Sequence, residues 1–173
     1  DESDSGWLTG SGRAALLHVL GRLGVTPPAR VIVPAWTFAG VATTLRAHGY
    51  TLGFADCATE LPLVAIAQLE RVWRSDVKAV LLTHLFGRAH EPDALTAWCH
   101  GKGAVVVEDC AHSPGVTWAG RAAGTFADGA IYSFDTLKPA TALGGGLAVV
   151  RDGNGGRATL TTAGSRRDFL RRL

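Results

Sequence analysis

A chain of 173 residues is long enough to bury a substantial core and short for two domains, so one domain over 1–173 is expected. Its residues are 47% hydrophobic and 18% charged, as in an ordinary folded protein. No apolar run approaches the roughly 18 residues of a membrane span, which excludes a membrane-embedded class and predicts a soluble chain. The formal net charge of +2, spread along the sequence, excludes the basic face of a nucleic-acid binder.

Several smaller features bound the reading further. The basic stretch Ser165 to Leu173 reads as a solvated helix face. Cys57, Cys99 and Cys110 are odd in number and lack paired or zinc-like spacing, so reduced thiols in a cytoplasmic protein are expected rather than a disulfide framework or a metal site. The sequence has no Met and no basic-then-apolar leader pattern, and its ends read as cut points in a longer protein.

In chain order, β-rich runs alternate with helical segments, the pattern of βαβ units around a mainly parallel sheet. Seven strands are predicted: Trp7 to Thr9, Arg30 to Val33, Thr51 to Ala55, Ala79 to Thr83, Ala104 to Glu108, Ala130 to Ser133 and Leu147 to Val150. The central ones are almost wholly apolar, as strands covered on both faces are. Helices are predicted over Arg13 to Leu23, Phe38 to His48, and Pro92 to Lys102, the last with proline in its first turn and a stop before Gly103. The runs Gly144 to Gly146 and Arg151 to Gly156 read as flexible turns.

In such sheets ligands bind beyond the carboxyl ends of the strands, so the residues there carry the argument. The first strand runs through Gly10-Ser11-Gly12-Arg13 into a helix, offering free backbone N–H groups, a positive dipole end and a guanidinium to a phosphate. Glycine turns before helices are common, and alone this one is more simply structural. The second strand ends in Pro34-Ala35-Trp36-Thr37-Phe38, whose rings could stack on a planar heterocycle or, taken singly, pack into a core. After the fifth strand, Asp109 in Glu108-Asp109-Cys110-Ala111-His112 is a carboxylate that burial makes unfavourable without a partner; a protonated ring nitrogen or a helix N-terminus would serve. Lys138 follows the sixth strand on a loop leading to the triple glycine. It either faces solvent or turns into the cleft, where desolvation and a cationic cofactor would free its amine for covalent work.

Taken together, four segments resemble the DegT/DnrJ/StrS family of pyridoxal 5'-phosphate (PLP)-dependent sugar aminotransferases. They are Ser11-Gly12-Arg13-Ala14-Ala15-Leu16, Val31 to Phe38, Val107 to His112, and Tyr132-Ser133-Phe134 through Lys138 to Gly146. His84-Leu85-Phe86-Gly87 and Trp118-Ala119-Gly120-Arg121 to Gly124 are similar to shorter family stretches. The resemblance implies a three-layer α/β/α fold of the aspartate aminotransferase type, with a mostly parallel seven-stranded sheet whose last strand is antiparallel. It implies that Lys138 forms the Schiff base with PLP and that Asp109 pairs with the pyridinium nitrogen. Phe38 would stack on the ring, His112 would lie near its face or phenolic oxygen, and Gly12, Arg13 and Ser133 would hold the phosphate. It further implies amino transfer from an amino acid, with glutamate the expected donor, to a keto sugar linked to a nucleotide, in a cytoplasmic homodimer.

The sequence departs from the family pattern at three places. Arg13 stands where threonine is common, His112 where glutamine is, and Gly144-Gly145-Gly146 where a glutamate often interrupts the glycines. No segment of the 173 residues resembles the family's smaller C-terminal domain, so 1–173 is read as the PLP-binding large domain alone. Two alternatives stay open: another PLP-dependent reaction on the same scaffold, and a truncated, non-catalytic subunit. Lys138 argues against the family's sugar dehydratases, which carry histidine there.

Overall fold

The computed structural model describes residues 5–58, 62–88, 92–151 and 159–162, with side chains for all but the last segment. Ten strands and four helices follow one another as β1 (Ser5–Thr9), α1 (Gly12–Arg22), β2 (Arg30–Pro34), α2 (Ala39–Ala47), β3 (Thr51–Ala55), α3 (Ile66–Val72), β4 (Val77–Thr83), α4 (Asp93–Gly101), β5 (Val105–Asp109), β6 (Thr117–Trp118), β7 (Arg121–Ala122), β8 (Gly129–Ser133), β9 (Gly146–Val150) and β10 (Thr159–Thr162). Among the described residues no helix is long and apolar enough to cross a membrane.

Eight strands form one sheet in the order β10-β1-β9-β8-β5-β4-β2-β3. β2, β3, β4, β5 and β8 are mutually parallel, and β9 runs antiparallel to both its neighbours, β8 and β1. Since β10 is parallel to β1, seven strands share one direction and their carboxyl ends share one edge. All seven predicted strands are present, with β9 reversed as expected. β10 extends the seven predicted strands by one more at the edge beside β1, and the β6–β7 hairpin and α3 are further additions. The stretches 152–156 and 165–173, read as a flexible turn and a helix face, lie outside the described residues.

Strand alternation explains the layers. Successive side chains on a strand point to opposite faces, so Val31, Val33, Ala79, Leu81, Val107 and Ile131 share one face with Leu16, Val19 and Leu20 of α1 and Val41 and Leu45 of α2. Ile32, Val80, Leu82 and Val106 share the other with Leu69 of α3 and Leu95 and Cys99 of α4. Each large side chain so buried contributes roughly 1.5–3 kcal/mol. α1 begins where Ser11 caps it, its hydroxyl accepting from the Ala14 N–H at 3.1 Å. It ends at Gly24, whose φ of +74° turns the chain so that the Val25 N–H bonds back to the Leu20 carbonyl at 2.9 Å.

The same topology opens a crevice. β2 leads through α2 to β3 on one side, whereas β4 leads through α4 to β5 on the other. Connections therefore leave the carboxyl edge in opposite directions between β2 and β4, the position where open α/β sheets hold ligands.

Candidate functional site

A cavity of about 330 Å³ sits at this edge, on the face covered by α1 and α2. Its floor follows from the alternation that builds the core. Thr83 is two residues beyond Leu81, Asp109 two beyond Val107 and Ser133 two beyond Ile131, so all three continue the α1-side face past its apolar part. Gly12, Arg13, Phe38, Asp109, His112, Ser133 and Lys138, the residues singled out from sequence, all line this one cavity. Thr37, Thr83 and Asp135 line it as well. Thr83 could have been found from sequence by counting in twos along the fourth strand; Thr37 and Asp135 carry no such signal.

Asp109 is only 4% exposed. Its Oδ1 accepts from the Ala111 N–H at 2.9 Å, and no ion pair among the described residues includes it. Burial pushes its carboxyl above the ordinary range, and the Ala111 N–H, Lys138, His112 and His84 offset part of that rise. His112 is displaced the other way: burial and the nearby Lys138 ammonium lower it, with Asp109 opposing.

Lys138 is half-buried on a loop closed at its base. The Phe134 N–H donates to the Gly145 carbonyl at 3.0 Å, while the Phe134 carbonyl accepts from the N–H groups of Ala142 and Gly144 at 3.0 and 2.9 Å. The Lys138 Nζ lies 5.8 Å from the centroid of the Phe38 ring, and the Arg13 guanidinium lies 5.9 Å from that centroid. Phe38 therefore presents a flat apolar wall with two basic side chains beside it, and 57% of it remains exposed.

The glycines are required by close approach. A Cβ on Gly12 would lie 2.8 Å from the Ser133 Cβ, and one on Gly146 would lie 2.6 Å from the Ser11 carbonyl carbon. Gly146 is paired with Thr9 on one side and Ser133 on the other, so the triple glycine is threaded between the α1 N-terminus and the end of β8. The result is a pocket wall of backbone N–H groups at a helix start, with the Ser133 hydroxyl beside it.

Glu108 points to the opposite face. Its side chain has no exposure and accepts from the N–H groups of Gly124, Phe126 and Ala127 at 2.6, 2.7 and 3.0 Å, with His84 Nε2 at 2.8 Å. Burial alone would raise its carboxyl, but the bonds from His84 and the backbone hold it below the usual range. No local signal in the sequence marks Glu108, because its backbone donors lie 16 to 19 residues downstream. Trp118 and Arg121, in the shorter matching stretch, form the β6–β7 hairpin outside the cavity.

A doubly wound sheet with an amine and a buried carboxylate converging on one cleft at its carboxyl edge defines a ligand-binding α/β domain of the kind that works at strand ends. Comparison with known proteins makes that class specific. The model of the DegT/DnrJ/EryC1/StrS aminotransferase family matches residues 5–166, and the chain belongs to that family. It is 32% identical over 139 residues to GDP-perosamine synthase of Vibrio cholerae, covering 80% of this chain and 38% of that protein. It is 33% identical over 143 residues to the UDP-N-acetyl-3-dehydro-alpha-D-glucosamine 3-aminotransferase of Acidithiobacillus ferrooxidans, covering 82% and 39%. The PLP form of a sugar aminotransferase from Streptococcus pneumoniae superimposes with a TM-score of 0.76 at 27% identity, over 84% of this chain and 41% of that one. That protein has also been solved in its PMP form, and PLP, the cofactor expected from sequence, is the one this family uses. The chain spans about two-fifths of the length of these relatives.

Proposed function

We propose that this chain is the cofactor-binding large domain of a PLP-dependent aminotransferase that moves an amino group from an amino acid to a nucleotide-linked keto sugar. The observation that carries the reading is the convergence of Lys138, Asp109 and the Gly12–Ser133 cradle on one cavity beside the exposed ring of Phe38. The names of the two relatives quoted above support the nucleotide-linked sugar.

The residues present fit the cofactor. A carboxylate that is 4% exposed and without an ion pair among the described residues is suited to a protonated ring nitrogen. The α1 N-terminus, where Gly12 leaves no room for a side chain, suits a phosphate. When bound, PLP supplies an electron sink through which an amino acid can lose its α-proton and pass on its nitrogen.

The chain's own residues do the rest. Lys138 supplies the amine that holds the cofactor covalently. When not bonded to the cofactor, the same Nζ would be placed to take and return a proton at the substrate α-carbon, a general-base role worth about 10²–10⁴-fold. Asp109 would pair as a carboxylate with the protonated ring nitrogen and hold that proton in place. Phe38 covers one face of the ring. His112, whose lowered pKa favours neutral imidazole, would lie near the ring face or its phenolic oxygen. Ser133, Arg13 and the Gly12 N–H anchor the phosphate.

Glutamate as donor, a homodimeric assembly and a cytoplasmic location belong to the same proposal. The location is supported by Cys57, Cys99 and Cys110, all of which are free thiols. The test is to add PLP and then glutamate to the purified protein while following the visible absorbance, with mass spectrometry of nucleotide-linked keto sugars supplied as acceptors. Loss of the visible band with glutamate and its return with an aminated sugar are expected. A bound cofactor indifferent to every amino donor would favour a non-catalytic subunit.

A further inference from the structure

Residues 110–112 form a short turn between two fixed points; the backbone of one buried residue holds both, and its side chain holds Glu108 behind them. His84, one residue beyond β4, has no exposure. Its backbone N–H donates to the Asp109 carbonyl at 3.0 Å, and its own carbonyl accepts from the Ser113 hydroxyl at 2.6 Å. Its ring Nε2 lies 2.8 Å from Glu108 Oε2. The Ser113 N–H closes the turn onto the Cys110 carbonyl at 3.1 Å. Asp109 stands at the start of this turn and His112 near its end, and both face the cavity.

The geometry points to His84 as a positioning residue for the cofactor site, acting with Glu108 and Ser113 to fix where Asp109 and His112 sit; this rests on the PLP reading above. The mechanical link is strand alternation. Glu108 and Asp109 are neighbours whose side chains leave β5 on opposite faces. Glu108 is clamped from its face by His84 and the three N–H groups of 124–127. A rotation that moved Asp109 in the cavity would have to break that clamp. Two ionisable side chains in a core are not needed for stability, since well-packed apolar residues do as well or better. A fully satisfied polar network instead selects one arrangement. Sites of this kind tolerate displacements of only about 0.5 Å.

His84, Glu108 and Cys110 also bring ligand atoms within 4.8 Å of one another, as a metal site would. Both Glu108 oxygens, however, already take N–H donors. Burial, with Glu108 and Asp109 nearby, pushes the Cys110 thiol well above its ordinary range, away from the thiolate that binds metal.

The experiment compares parent, His84→Leu, His84→Gln and Ser113→Ala in the full protein. It measures the PLP dissociation constant by absorbance titration, the pH dependence of the bound cofactor's absorbance, and thermal melting. The expected result is at least about tenfold weaker PLP binding and a displaced pH profile in His84→Leu, the size that misplacement in a preorganised site produces. Substantial rescue is expected in His84→Gln, whose amide keeps a donor to Glu108. Ser113→Ala should weaken binding by about threefold, a lost hydrogen bond at the low end of its range. Variants that melt lower but keep the parental dissociation constant and pH profile would overturn the inference. If His84→Leu does not fold, Ser113→Ala decides alone, and parental values there overturn it. Zinc retained by the parent, with removal reproducing the variants' cofactor changes, would overturn it in favour of a metal site. A parent that binds no PLP overturns the cofactor reading and this inference together, whereas a binding parent matched by its variants overturns only this one.

Discussion

Burial works against Asp109 until something cationic reaches it. In the cofactor-free chain the folded state holds the Asp109 proton to higher pH than the unfolded state does. This group's contribution to stability is therefore most favourable below the ordinary carboxyl range, declines as pH rises through that range to the raised value, and stays unfavourable above it. Asp109→Asn should then stabilise the cofactor-free protein at neutral pH by about 1–2 kcal/mol, the scale of an unpaired buried polar group. The gain should vanish below about pH 3, where this carboxyl is protonated in both states. With PLP the sign reverses, since an amide cannot hold the pyridinium charge, and transamination should fall further than cofactor affinity. Melting curves across pH with and without PLP, beside a rate assay, check both halves; a variant that transaminates at the parental rate contradicts the role.

At the level of elements, the two ends of α1 make opposite demands on glycine. Gly21 has nothing within 4 Å of where a Cβ would stand, whereas Gly146, packed under the first turn of α1, would place one against the Ser11 carbonyl carbon and the Gly12 nitrogen. Gly21→Ala should therefore raise stability by about 0.5–1 kcal/mol through helix propensity and leave PLP binding unchanged. Gly146→Ala should lower the melting temperature and weaken PLP binding, because only backbone can yield there. Equal effects of the two substitutions on the cofactor dissociation constant would show that the threading of the triple glycine does not shape the cradle. Much of this level was legible in sequence: short β-rich runs, almost wholly apolar in the centre of the sheet, gave every strand from β1 to β5 together with β8 and β9, and the residues at their ends share one cavity. What escaped was short or non-local. α3 has seven residues with only Leu69 buried, and β10 pairs in parallel with β1 from some 150 positions away. Glu108 and His84 form a pair only because β4 and β5 lie side by side.

At the scale of the molecule, exposed apolar side chains gather beside the cavity. Trp36, Phe86, Leu137 and Leu143 are 57, 62, 92 and 79% exposed. Leu137 lines the cavity itself, and Phe86 meets the Trp36 ring edge-on and the ring of the cavity residue His112 at a tilt. Apolar surface of this kind marks a covered face, and a twofold partner is the commonest cover. Light scattering on the full protein should give a dimer. Phe86→Asp should shift it toward monomer and loosen PLP by at least about tenfold, as water reaches the site and weakens its electrostatics. A monomeric parent with full activity would contradict that assembly.

Of the amines in this chain, Lys138 is the one proposed to hold the cofactor. Incubation with PLP, borohydride reduction and peptide mapping tests it most directly. The pyridoxyl group is expected on Lys138, with Lys138→Ala left unlabelled; a label on Lys78 or Lys102, or none on a folded parent, would contradict the account.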